Sequence, residues 1–96
     1  MPGVGGAEAL ENAAGWLDKI AKGQEEFSCE WFETSFLRIF ALLQLGQADS
    51  SKSTWASIPM KSIRNEFGPT YSGIAERCGG DNALQNRFRW IAGQVR

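Results

Sequence analysis

The stretch from Phe36 to Leu45, FLRIFALLQL, constrains the fold more than any other part of the chain. Phe36, Leu37, Ile39, Phe40, Leu42, Leu43 and Leu45 fall on almost every side of a helix at 100° per residue, so such a helix has to be contacted from several directions. A bilayer span needs about 20 apolar residues, and this run is shorter and carries Arg38 and Gln44. It therefore predicts a central helix in a water-soluble bundle. Ser28 is its expected N-cap, with Phe27 and Phe32 spaced as a hydrophobic staple around the cap. Gly46 is its expected end. Phe36, Ile39, Phe40 and Leu43 are expected to be mostly buried. Covering such a helix completely is demanding for 96 residues. One expectation is that part of it completes a twofold homodimer; the alternative is an interior helix of a monomer.

The rest of the chain supplies helices to surround it, and the predicted fold is all-α: a small single-domain bundle of about five helices. Residues 1–6 are glycine-rich and are expected to fray. Ala7 to Lys22 predicts the first helix, with Leu10, Ala13, Ala14, Leu17, Ile20 and Ala21 as its apolar stripe and lysines gathered at its end. Trp16 lies off that stripe, where it either covers a neighbour's edge or marks a contact surface. Residues 7–46 thus form a helical hairpin. Residues 47–54, QADSSKST, are polar and aperiodic and form a linker. Residues 55–96 form a tri-helical unit, with Trp55 pinning its start to the core. Its first helix is predicted over Ser57 to Phe67, capped by Ser57, with Pro59 in the first turn and Gly68-Pro69 as the stop. No period-2 run of β-branched residues calls for a strand.

Two short helices are predicted between Pro69 and Val95, separated by Gly79-Gly80. In the first, Thr70 is the expected N-cap and Tyr71, Ile74, Ala75 and Cys78 share one face. In the second, Asp81 is the expected cap and Leu84, Phe88, Ile91 and Val95 form the buried stripe. Gln85, Asn86, Arg89 and Arg96 project from roughly the opposite side, and Trp90 sits on the flank. Ile74-Ala75, the turn at Gly79, and the polar helix with Asn86-Arg87-Phe88-Arg89 resemble a helix-turn-helix. The string GGDNALQNRFRWI is similar to the last helix of Myb/SANT-type tri-helical domains. The resemblance covers about 25 residues. It implies a final helix that enters the DNA major groove.

Charge argues in another direction. The net charge of −1 lacks the general signature of a nucleic-acid binder. Its distribution is uneven: residues 1–60 hold four Lys/Arg against eight Asp/Glu, and residues 61–96 hold six against three. With no histidine, histidine-based acid–base chemistry and the common zinc sites have no parts. No nucleophile elbow or paired catalytic carboxylates stand out, and the GVGG at the start lacks the strand and the Lys-Ser/Thr of a phosphate loop. The expectation is a non-catalytic protein with no cofactor and no metal. No signal peptide is visible at the N-terminus, and a cytoplasmic location is expected. Cys29 and Cys78 lie beside apolar positions, so buried free thiols are expected, with a single disulfide joining the two helices as the alternative.

Two functions then compete. In the first, the protein is an interaction module, such as an adaptor, an assembly subunit or an inhibitor of a larger and possibly nucleic-acid-handling complex. It would bind a protein partner through surfaces that include Trp16, Trp31, Trp55 and Trp90, because Trp and Arg are enriched at interface hot spots. In the second, Gln85, Asn86 and Arg89 read DNA base edges, since amides match adenine and guanidinium matches guanine. Lys61, Arg64, Arg77, Arg87 and Arg96 would then contact phosphates. The negative net charge ranks the interaction module first.

Overall fold

In the computed structural model, which describes residues 2–95, the described residues are all-helical, with five α-helices and a short 3-10 turn. They are α1 (Pro2–Lys22), α2 (Cys29–Ala48), α3 (Ser57–Phe67), α4 (Ile74–Arg77) and α5 (Ala83–Ala92). The central helix begins as its sequence requires. The Trp31 N–H donates to the Ser28 hydroxyl oxygen at 3.1 Å, and the Phe27 and Phe32 rings stack across that cap with centroids 6.1 Å apart. Phe27 itself takes a left-handed backbone, φ 67°, which turns the chain between α1 and α2.

α2 is contacted by every other helix. α1 lies antiparallel along it, tied at one flank by Asp18–Arg38 (3.6 Å) and by Glu11 to Lys52 in the following turn (3.0 Å). α3, α4 and α5 cover the other sides. Phe32, Ile39, Leu45, Ile74, Phe88 and Ile91 are fully enclosed at the meeting point, and each such side chain contributes roughly 1.5–3 kcal/mol by leaving water. The aromatic part of this core is a chain of edge contacts, Phe67–Phe32–Phe88–Phe36, with centroids 5.1 to 5.8 Å apart. Ile39 is fully buried, and Phe36, Phe40 and Leu43 are mostly buried as expected, packed against the core with part of each side chain left open on a flank that the short α5 does not fully cover.

Several boundaries differ from the sequence reading. α1 starts at Pro2 rather than Ala7, so residues 2–6 are helical. Proline at the first helical position is preset for helix geometry and lacks only an N–H that would be unpaired there anyway. Gly46 does not end α2, which runs on to Ala48. Its role is steric: a Cβ there would lie 2.9 Å from Cα of Ser53, so the missing side chain lets the returning loop cross the helix. That loop is wound by Asp49, whose carboxylate accepts from both the N–H and the hydroxyl of Ser51. The same hydrogen bonds hold the Asp49 carboxyl below its usual pKa. Trp55 does not pin the loop to the core. It is exposed beneath the Lys52 ammonium, and the adjacent Ala56 is the buried anchor.

α3 has the predicted span, but Ala56 occupies the cap position and the Ser57 hydroxyl donates backwards to the Thr54 carbonyl. The helix expected from Thr70 is cut to the single turn of α4. Tyr71 (φ 56°) and Gly73 (φ 99°) are both left-handed and break the helical path, while the Tyr71 ring is carried into the core. Asn82 rather than Asp81 caps α5 by position, although the Asp81 carboxylate still accepts the Ala83 N–H at 2.9 Å. Finally, Cys29 and Cys78 are not free thiols. They form a disulfide that ties the start of α2 to the end of α4.

Candidate functional site

α5 positions most of the residues singled out in the sequence, and its buried stripe is as read: Leu84, Phe88 and Ile91 enclosed, Val95 half-buried. The polar side chains around that stripe do not form one face. The Gln85 side-chain oxygen accepts the Ala75 N–H at 3.2 Å and so satisfies an otherwise unpaired amide at the start of α4. Arg89 Nε donates to the Thr70 carbonyl at 2.9 Å and braces the turn before α4. Both residues are thus turned to one flank and engaged within the chain. Arg87 and Trp90 occupy the other flank, where the Trp90 ring meets Phe40 of α2 at 6.2 Å. Asn86 lies outermost and exposed.

The remaining cations divide in the same way. The Arg77 guanidinium sits 4.8 Å over the Phe67 ring and 6.0 Å from Phe27, covering the aromatic edge beside the disulfide. Lys61 and Arg64 are exposed on α3 and form no ion pair among the described residues. They flank an open groove between α3 and the end of α5. Arg96 lies outside the described residues. Among the described residues, no group of three or more Cys, Asp or Glu side chains is placed to hold a metal ion, and no helix is long and apolar enough to cross a membrane.

A second surface, which holds Trp16 and Trp90 of the sequence-derived set, lies on the other flank of α5 from that groove. The seam between α1 and α2 has two edges, and the Asp18–Arg38 pair occupies one. At 100° per residue, Ile20 points to the other edge of α1, with Trp16 one turn before it and further round toward the outer face, and Leu37 points to the corresponding edge of α2. Phe40 follows Leu37 by one helical turn and leads on to Trp90. Trp16, Leu37 and Trp90 are 65%, 54% and 51% exposed, and Ile20 is exposed as well. Three helices therefore present large apolar side chains along one side, with Glu30, Glu33, Gln44 and Asn86 exposed nearby. Trp31, by contrast, is half-buried against Phe27 and Phe32. Trp55 and Ile58 are exposed on the α3 side, apart from this face.

The sequence marked Trp16 and Trp90 as lying off their stripes. Leu37 belongs to a helix that is apolar almost all round, where periodicity alone does not say which apolar position is left uncovered. No protein-family model, no curated protein and no solved structure matches this chain, so the reading of its function rests on its own side chains.

Proposed function

We propose that the protein is a non-catalytic interaction module that docks a protein partner through the face formed by Trp16, Ile20, Leu37 and Trp90. The observation that carries this reading is the exposure of these side chains on one side of three packed helices. Scattered exposed apolar residues are ordinary, but a contiguous set rimmed by polar groups marks association surfaces. Tryptophan is among the residue types that most often anchor such a surface. A stripe of Glu30, Glu33 and Gln44 on α2 supplies the polar rim, so that the contact is directional rather than merely adhesive.

A DNA-reading role for α5 is the second reading, favoured by the exposure of Asn86 and Arg87 and by Lys61 and Arg64, which form no ion pair among the described residues. It ranks lower because Gln85 and Arg89, two of the three expected base readers, already bond within the chain. The working form is proposed to belong to an oxidising compartment rather than a reducing cytoplasm, where thiol buffers keep most cysteines reduced. The disulfide supports this.

The test uses a photo-crosslinking residue at position 37 and, as a control, at Glu66 on the far side. A defined protein, or a second copy of this chain, should be captured from position 37 and not from 66. The capture should fall at least tenfold with Trp90→Ala or Trp16→Ala, with helical content unchanged. Equal capture from both positions would overturn the reading. So would retention on DNA that falls steeply with salt, is lost in Arg87→Ala and persists in Leu37→Glu, because released counterions mark a phosphate contact.

A further inference from the structure

The groove between α3 and the end of α5 has its own chemistry. It encloses about 600 Å³, within the 300–1,000 Å³ typical of small-molecule sites. Met60, Pro69, Tyr71, Ala92 and Val95 give it apolar walls, and Lys61 and Arg64 stand in its lining. Among the described residues, no acidic side chain lines it. Two cations that form no ion pair among the described residues, next to an apolar concavity, suit a ligand that is anionic at one end and apolar at the other.

Tyr71 sharpens this. It is 2% exposed overall, it lines the groove, and the Arg64 charge lies close enough to act on its phenol. The ring is brought here by a left-handed backbone, φ 56°, at a residue with a side chain, three positions after the reversal at Gly68 (φ 80°). Such a conformation is disfavoured for any residue with a Cβ and tends to occur where a position has a task beyond connecting two elements.

We propose that this groove binds a small organic anion, an aryl or alkyl carboxylate, with its head on Lys61 and Arg64 and its body along Met60, Tyr71 and Val95. The Tyr71 hydroxyl donates to the carboxylate. A nucleic-acid backbone fits the same cations less well, because successive phosphates track along a charged surface and have no use for an apolar recess. This site lies on the opposite flank of α5 from Trp90 and is independent of the protein-docking face.

The chain contains a single tyrosine, so the ring signals of Tyr71 in an NMR spectrum report on the groove alone. Titration with 2-naphthoate should shift those signals saturably, while the neutral 2-naphthamide should bind about tenfold more weakly or less. Arg64→Gln and Lys61→Gln should each weaken 2-naphthoate by about tenfold, and Tyr71→Phe by about threefold, since hydrogen bonds to a charged group are the stronger kind. For Tyr71→Phe the signals of Met60 and Val95 serve as the readout. Leu37→Glu should leave the affinity unchanged, which separates this site from the docking face. Lys61 and Arg64 are exposed, so their variants should retain wild-type helical content. No saturable shift at millimolar 2-naphthoate would overturn the proposal. So would equal affinity for the amide, or full affinity in the Lys61→Gln/Arg64→Gln double variant. An identical shift with inorganic phosphate or a short oligonucleotide would also overturn it, in favour of a plain phosphate contact.

Discussion

Tyr71 has a buried ring, and burial pushes its phenol above the ordinary tyrosine pKa, with the nearby Arg64 charge opposing part of that rise. A group whose pKa is higher in the folded state favours folding fully below its unfolded value, near 10, and that contribution is lost as pH rises through the folded value. Alkaline titration followed by phenolate absorbance should therefore place Tyr71 above 10. Thermal stability should begin to fall above pH 10, and Tyr71→Phe should lack that part of the decline. A second residue-scale expectation concerns the aromatic core. Phe88→Ala should cost about 3–5 kcal/mol in denaturant unfolding, because the ring is fully enclosed. Phe40→Ala should cost clearly less, since its ring shares an open flank with Trp90. The Phe88 position was legible because Leu84, Phe88 and Ile91 repeat at helical spacing. The part of Phe40 left open was not, because it depends on how far α5 reaches across α2. Tyr71 was read as a helix-face residue. Its left-handed backbone follows from a tertiary demand that local spacing does not encode.

Boundaries set by local start and stop signals follow the sequence closely, whereas the start of α1, the end of α2 and the short α4 depart from it. α3 keeps its predicted bounds because Pro59 lies in its first turn and Gly68 closes it with a left-handed backbone. The Ser28 cap and the Phe27–Phe32 stack likewise follow from adjacent residues. α4 is reduced to one turn because such a short helix has little stability of its own and yields to the placement of Tyr71 and the disulfide. The Cys29–Cys78 pair was left open by the sequence, since two cysteines at a separation of 49 define no recognisable framework. On chain-entropy grounds a cross-link at that separation contributes about 4 kcal/mol, so reduction should lower unfolding stability by roughly that amount. Denaturant melts with and without reductant would measure it. Gly46→Ala belongs to this scale as well. It should destabilise by about 1–3 kcal/mol, because its new methyl meets backbone of the Ser53 loop rather than a movable side chain. A matching melt of Gly15→Ala, where a Cβ meets nothing, should show no loss.

The whole molecule measures 43 × 26 × 20 Å, and α1 and α2 run the length of its hairpin. An all-α architecture around α2 was legible because a helix apolar on nearly every side has to be covered by something. The direction from which cover is missing was not, since it depends on the relative lengths and tilts of α1 and α5. That difference leaves Trp16, Leu37 and Trp90 at the surface. The disulfide has a consequence at this scale for cleavage. It closes the chain from Cys29 to Cys78 into a covalent ring, from which α1 and α5 extend as tails. A single protease cut in the 47–54 loop, which lies inside that ring, should leave one species of unchanged mobility on a non-reducing gel. Only on adding reductant should the two fragments part.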